Sequence, residues 1–300
     1  MKFNHLLSLS LFGLSSIIFK RKKPILATII LTDKCNLSCR HCAVNNVTCI
    51  IYSYEMIKNQ MIDLYSEGIR ILFFCGGETF MWEDSGKTLR DLVEEAKKIG
   101  FYIVNVVTNG TFPLDLPEAS LILLSLDGGK EKHNNIRGET YDLIIENIRN
   151  SSSKNICLYM AVNNTNHTDI EEVCKTARDE TNISAVSFNF HTPYEGTEQL
   201  CLSHSQKADC LHRIASLSDK GYPVFNLKSA FPYHLDNSFS RPCRQCLVLE
   251  GDKRFVCGRC IDIPDLCNQC GYLFAAEYAL AFGGKIRVIA DMLKTYTKFI

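Results

Sequence analysis

Cys35, Cys39 and Cys42 stand with gaps of three and two residues in the run Thr32-Asp33-Lys34-Cys35-Asn36-Leu37-Ser38-Cys39-Arg40-His41-Cys42. Thiolates so close in sequence suit metal ligation better than a disulfide framework. A cubane 4Fe–4S cluster has four irons, so three local thiolates leave one iron without a protein ligand. Such a site invites an exogenous ligand and does chemistry rather than only carrying electrons. Zinc is the competing reading, but a closed zinc site wants four N or S ligands. His41 lies between two of the cysteines, where it cannot easily share their metal. A second concentration follows near the end of the chain. Cys243 and Cys246, Cys257 and Cys260, and Cys267 and Cys270 form three successive C-x-x-C pairs. One 4Fe–4S cluster would use four of these thiolates and leave two spare, while paired C-x-x-C is also a zinc-ribbon pattern. The other cysteines, Cys49, Cys75, Cys157, Cys174, Cys201 and Cys210, are scattered and read as ordinary thiols.

An alternating pattern must position these groups. Residues 25–31 form a continuous apolar run with β-branched members, read as a buried strand. Residues 53–67 carry a helical apolar spacing with Ser53 as N-cap. Further strands are expected at 69–74, 101–107, 121–126, 155–162 and 183–190, and helices at 85–99, 139–149, 169–178 and 203–220, with a loop at 151–153. Strands that read as apolar runs are buried on both faces, which means a parallel sheet covered by helices. Six β/α units are fewer than the eight of a closed barrel, so an incomplete barrel and a doubly wound sheet are both open. In either, functional groups belong at the C-terminal ends of the strands. After Tyr222 the alternation weakens. Residues 243–270 read as a loop-rich module organised by thiolates, followed by an apolar helix at 272–282 and a final amphipathic stretch. Three segments result: 1–23, 24–225 and 226–300.

The cysteine spacing after a first strand resembles the radical S-adenosylmethionine (radical SAM) superfamily, and the resemblance runs through about Tyr222. It implies an α/β fold, a partial (β/α)6 TIM-type barrel with a small cysteine-rich C-terminal module. It also implies a 4Fe–4S cluster on Cys35, Cys39 and Cys42 that binds S-adenosylmethionine. His41 occupies the place where the family's backbone neighbours the adenine. Gly76, Gly77 and Glu78 end the second strand, where two glycines permit close backbone approach; in the family this stretch holds the methionine amino group. The family's usual proline next in line is Thr79 here, which should loosen the loop. Thr108 and Asn109 resemble the element at the next strand end. Ser125 and Asp127 do so one strand later, where they could bond ribose hydroxyls. Residues 133–138 look like the loop in which an arginine, Arg137, meets the methionine carboxylate. Asn163, Asn164, Asn189 and His191 are further candidates for nucleotide or substrate contacts. The C-terminal cysteines are similar to SPASM and twitch extensions, which implies an auxiliary Fe–S cluster, with zinc as the alternative. The implied reaction is reductive cleavage of S-adenosylmethionine to a 5′-deoxyadenosyl radical that abstracts hydrogen from a substrate. The implied partners are an electron donor such as flavodoxin or ferredoxin and a peptide, protein or lipid substrate.

Composition frames this reading. The chain of 300 residues is 46% hydrophobic, and 33 basic residues balance 33 acidic ones. Its net charge therefore gives no hint of a nucleic-acid partner. Thiolate clusters of this kind point to a reducing cytoplasm. The N-terminus adds a condition. Residues 6–19 form an apolar run closed by Lys20, Arg21, Lys22 and Lys23, with Leu7, Leu11, Leu14 and Ile18 on one helical face. The run is shorter than the roughly 20 residues of a spanning helix, and a basic block stands where a signal peptide would have a cleavage site. It reads either as an interfacial helix at the inner membrane face or as a helix packed on its own domain. The rival to an enzyme is a non-catalytic zinc-ribbon interaction protein.

Overall fold

The computed structural model describes residues 3–19, 23–42, 47–241 and 243–296. Six parallel strands carry the fold: β1 (Leu26–Ile30), β2 (Ile71–Cys75), β3 (Ile103–Thr108), β4 (Leu121–Ser125), β5 (Ile156–Val162) and β6 (Ile183–Phe190). They pair in chain order, and the helices between them are α2 (Tyr54–Ser66), α3 (Leu89–Ile99), α4 (Lys130–Arg137), α5 (Tyr141–Asn150) and α6 (Ile170–Asp179). This is the expected partial barrel. Both strand faces are apolar because each has its own cover. Ala27, Ile29, Leu72, Phe74, Val104 and Val106 pack with Ile57, Met61, Leu64, Leu92 and Val93 of the surrounding helices. Leu26, Ile71, Phe73 and Ile103 point the other way, into a second cluster. That second cluster is filled by the C-terminal helices α9 (Leu273–Phe282) and α10 (Ile286–Tyr296) and by Leu9 and Phe12 of α1 (Phe3–Ile18).

Four elements differ from expectation. The helix expected from Ser85 starts at Leu89, because Ser85 (φ 51°) and Gly86 (φ 74°) make the left-handed turn of a small hairpin between Glu83–Asp84 and Lys87–Thr88. Thr88 then caps the helix reciprocally with Asp91. Residues 133–138, expected as a loop, belong largely to α4, which ends at Gly138 with φ 90°. Inside the loop-rich module lies a hairpin of β7 (Cys246–Glu250) and β8 (Lys253–Val256), turning at Gly251 and Asp252. Its first strand pairs in parallel with β1, Cys246 beside Leu26 and Glu250 beside Ile30. The eight strands thus form one sheet in the order β8-β7-β1-β2-β3-β4-β5-β6. The chain beyond β8 then crosses to the opposite edge, where the amide of Phe190 at the end of β6 donates to the carbonyl of Gly271 at 2.8 Å. The C-terminal segment therefore touches both edges of the arc. The helices α7 (His204–Asp219), capped by Ser203 with Gln206, and α8 (Phe231–Leu235) complete the outer layer. Among the described residues no helix is long and apolar enough to cross a membrane.

Candidate active site

The loop that follows β1 carries Cys35, Cys39 and Cys42, and the loop that follows β2 is its floor. The Gly77 amide donates to the Thr32 carbonyl at 2.7 Å and the Glu78 amide to the Lys34 carbonyl at 2.9 Å. A side chain at either glycine would collide with that backbone: a Cβ on Gly76 would lie 2.3 Å from the Thr32 oxygen, and one on Gly77 2.1 Å from the Lys34 oxygen. The glycines are needed here for space. From this floor the cysteine loop rises with Cys35 and Cys39 half-buried and Cys42 exposed. Donors point at two of the sulfurs. The Leu37 amide lies 3.5 Å from Cys35 Sγ and Asn109 Nδ2 lies 3.7 Å from it, while an Arg137 guanidinium nitrogen lies 3.7 Å from Cys39 Sγ. Burial pushes the Cys39 thiol up to about 11, against the pull of Arg137. Asp33, buried just before the loop, accepts from the Thr48 hydroxyl at 2.7 Å. Together with Asn36, it stands in the cysteine run but had no role assigned from sequence, because the thiol spacing says nothing of the side chains between.

Glu78 is fully buried and its carboxylate is occupied by the protein. It accepts from the Thr108 hydroxyl (2.7 Å), the Asn109 amide (2.7 Å) and the Phe80 amide (3.0 Å). Burial raises its pKa, and these bonds oppose that. The side chain thus latches the end of β2 to the end of β3. Asn109 extends the latch, since its Nδ2 donates to Asn36 Oδ1 at 2.8 Å between the first two cysteines. Thr79 does not loosen the loop, as the missing proline suggested. It is buried and its hydroxyl donates to the Val107 carbonyl at 2.8 Å.

One strand further, Asp127 organises a charged knot. It is fully buried, and Arg137 Nε donates to its Oδ2 at 2.6 Å; the Ala161 amide donates to Oδ1 at 2.8 Å. His41 Nε2 lies 3.5 Å from the same Oδ2 and 3.4 Å from Arg137. Burial works most strongly against the Asp127 charge, but Arg137, the neighbouring rings and the Ala161 amide together outweigh it and hold the carboxyl below the usual range. Burial likewise pushes both His41 and His133 down to about 4, so both rings are neutral at pH 7. His133 accepts from the Asp127 amide at 3.2 Å, and the His41 ring stands edge-on to His191 with centroids 6.4 Å apart. Arg137 reaches the cysteine loop from the last turn of α4 with Asp127 as its anchor. His133 is an orienting residue that lay in view only as part of a loop motif.

The remaining predicted residues are placed as follows. Ser125 is buried at the end of β4. Asn163 and Asn164 serve their own turn: Asn163 Oδ1 accepts from the Thr165 amide at 2.9 Å, and Asn164 donates to the Gln199 carbonyl. Asn189 donates to the Tyr159 hydroxyl and accepts from the Leu273 amide at 2.7 Å, joining β6 to α9. His191 bonds the Thr197 hydroxyl at 3.0 Å.

The six C-terminal cysteines form one neighbourhood separate from the first three. Cys243 and Cys246 have sulfurs 3.8 Å apart beside the start of β1. Cys257, in a left-handed conformation with φ 74°, donates its amide to the Cys246 carbonyl at 2.9 Å. Cys260, Cys267 and Cys270 lie on the crossing segment. Cys243, Cys246, Cys260 and Cys270 are buried, and burial pushes Cys257 and Cys260 up to about 12. Gly271 seats the segment, for a Cβ there would lie 2.0 Å from the Phe190 carbonyl oxygen. Tyr194 and Tyr272, hydroxyls 3.5 Å apart, stand beside Cys260.

Among the described residues no three His, Cys, Asp or Glu side chains stand close enough to grip a single ion. Three thiols on one loop, with amide and guanidinium donors aimed at two of them, have the donor chemistry that an iron–sulfur cluster needs.

Comparison with known proteins agrees with the fold. A model of the Radical SAM superfamily matches residues 29–177. An Fe-coproporphyrin III synthase of Methanosarcina barkeri is 30% identical over 227 residues, covering 68% of this chain and 55% of the relative. The chain thus spans about half that relative's length. Streptococcus suis SuiB bound to S-adenosylmethionine superposes with a TM-score of 0.64 at 12% identity, over 89% of this chain and 68% of SuiB. Native anSMEcpe with bound AdoMet and Kp18Cys peptide does so with a TM-score of 0.58 at 16% identity, over 92% and 96%.

Proposed function

We propose, from the premise that this chain belongs to the radical SAM superfamily, that it cleaves S-adenosylmethionine at a 4Fe–4S cluster held by Cys35, Cys39 and Cys42. When bound, that cluster would supply the electron that breaks the S–C5′ bond, leaving methionine and a 5′-deoxyadenosyl radical that takes a hydrogen atom from the substrate. The observation that carries this reading is the seating of the three-thiol loop directly on the Gly76–Gly77 backbone, with donors aimed at the sulfurs of Cys35 and Cys39.

The chain's own groups have distinct tasks in this proposal. The backbone at Gly76 and Gly77 offers the methionine amino group a surface free of side chains, and Glu78 acts by holding that backbone against Thr108 and Asn109. Arg137 lends positive charge to the Cys39 sulfur, which favours the thiolate, and Asp127 fixes its direction. His41 stays neutral beside them and leaves the local charge unchanged. Ser125 closes the polar rim at the end of β4 as a candidate contact to the ribose. Burial of the knot excludes water from the place where a radical must survive.

For the substrate, a peptide is supported by the fold shared with anSMEcpe, whose structure holds one. A porphyrin is the second reading, favoured by the name of the Methanosarcina relative. An auxiliary Fe–S cluster on four of Cys243, Cys246, Cys257, Cys260, Cys267 and Cys270 would serve as a second electron carrier, with flavodoxin or ferredoxin as external donor. Anaerobic reconstitution with measured iron and sulfide, then an assay for 5′-deoxyadenosine under dithionite, tests the reaction. Wild type forms the product, and Cys39→Ala lowers it at least about a thousandfold, a loss of roughly 4 kcal/mol in barrier terms. Iron-loaded wild type that forms no 5′-deoxyadenosine would defeat the proposal. Mass spectrometry of reaction products, read for Fe-coproporphyrin III on one side and for a modified peptide on the other, separates the two substrate classes.

A further inference from the structure

Helix α1 has two faces, and only one is used by the fold. On the inner side Leu9 and Phe12 join the second core cluster, Phe12 meets Phe282 edge-on with centroids 5.9 Å apart, and Ser16 is buried. His5 stacks on Tyr102 at 4.1 Å, and the Tyr102 hydroxyl donates to Ser8 at 3.2 Å. These contacts fix the helix about its axis. The outer side then presents Leu7, Leu11, Leu14 and Ile18, which are 50%, 57%, 54% and 61% exposed. They recur at helical spacing along the whole element, so they form a continuous apolar stripe.

A basic block, Lys20, Arg21, Lys22 and Lys23, follows the stripe in the sequence, the first three outside the described residues. Where Gly284 comes within 3.2 Å of Ile17 (measured to the Cβ it would carry), the exposed run Lys285, Ile286 and Arg287 begins, and Ile286 is 81% exposed. The chain as a whole is neutral, so this concentration is local. An apolar stripe bordered by lysines and arginines complements an anionic lipid surface, with the leucines at the acyl boundary and the cations at head-group level.

We propose that α1 docks this protein on the surface of an anionic bilayer, lying in the plane of the membrane and not crossing it. The position of the helix sets the orientation. Tyr102, which α1 grips, immediately precedes β3, and three of the four barrel-strand residues in its cluster, Leu26, Ile71 and Ile103, are the first of their strands, the fourth being Phe73. Docking is therefore at the N-terminal end of the barrel, while the cysteine loop lies beyond the C-terminal ends. On the radical SAM reading, the mouth of the site opens away from the lipid, and the substrate arrives from solution.

Co-sedimentation of the full chain with vesicles of equal parts phosphatidylglycerol and phosphatidylcholine tests the docking. Wild type pellets with these vesicles, stays in solution with pure phosphatidylcholine, and is released as salt rises to about 0.5 M. The double variant Leu11→Glu/Leu14→Glu, with an unchanged melting temperature because both positions are exposed, binds at least about tenfold more weakly, a factor worth roughly 1.4 kcal/mol. Docking is overturned if wild type ignores anionic vesicles, if the double variant binds as well as wild type, or if the stripe instead holds a dimer that the variant splits. None of these readings needs a cluster or S-adenosylmethionine, so they stand apart from the proposed chemistry. The orientation is tested by 5′-deoxyadenosine formation with and without vesicles: equal rates support it, and suppression on binding overturns it.

Discussion

The two cysteine neighbourhoods solve the same seating problem in opposite surroundings. Residues 35–42 form a loop with Cys42 exposed, and residues 243–270 form a crossing segment with four of its six cysteines buried. Each is pressed against strand-end backbone by a glycine with no room for a methyl group: Gly77 against Lys34, and Gly271 against Phe190. The first neighbourhood is dressed with donors and a charged knot. The second is enclosed by tyrosines, apolar helices and its own thiols. An open site surrounded by donors is suited to admitting a small molecule. An enclosed one is suited to holding electrons or holding the fold.

The contrast is sharpest between one buried carboxyl from each region, Asp127 and Glu277. Asp127, beneath the first neighbourhood, keeps its charge through Arg137, whereas burial pushes Glu277, in α9 below the second, up to about 7 despite bonds from Asn226 and the Leu227 amide. Asp127→Asn leaves a buried guanidinium unpaired and should cost about 3–5 kcal/mol in denaturant unfolding. Glu277→Gln should cost less than about 1 kcal/mol, since it replaces a group already half neutral. Their pH effects have opposite sign. Asp127 has a depressed folded pKa, so its stabilisation is present at neutral pH and is lost as pH falls into and below the ordinary carboxylate range. Glu277 has a raised one, so its relative contribution is lost as pH climbs from 4.5 to about 7. Equal costs for the two variants would break the contrast.

Next in size are the seats. Gly77→Ala and Gly271→Ala each force a backbone carbonyl to move, at about 1–3 kcal/mol. Iron analysis should divide them: Gly77→Ala lowers 5′-deoxyadenosine formation along with iron, and Gly271→Ala lowers iron while sparing the first site. If both variants lose the same activity, the neighbourhoods are one functional unit. The smallest effect belongs to Thr79→Ala, which removes one bond to Val107 and should cost about 1 kcal/mol in thermal unfolding.

Much of this architecture was legible because apolar runs and strand-end punctuation agree with each other. Ser53 and Ser203 cap the helices expected of them, and the six barrel strands lie within two residues of their runs. Helix α4 was illegible for a physical reason: Lys130–Arg137 contains one apolar residue, Ile136, and two adjacent asparagines, so it has no stripe to detect. It is held by tertiary contacts such as Arg137 on Asp127. The hairpin of β7 and β8 did carry a signal, the Gly251-Asp252 pair between two apolar-containing runs, but the surrounding cysteines masked it. At the site, spacing pointed to the three thiols and the strand-end residues. It could not reveal that Glu78 and Arg137 spend their bonds on the protein, because that depends on which side chains face one another across strands.

The parallel pairing of β7 with β1 has a bearing on how the protein is made. Residue 26 finds its partner at residue 246, so one edge of the sheet stays bare while most of the chain is still leaving the ribosome. Contacts this distant in sequence form late and slowly, and a bare parallel edge is an invitation to self-association. Emergence of residues 246–250 is therefore the event that seals the nascent sheet, and any truncation before residue 250 would leave a sticky, assembly-incompetent intermediate.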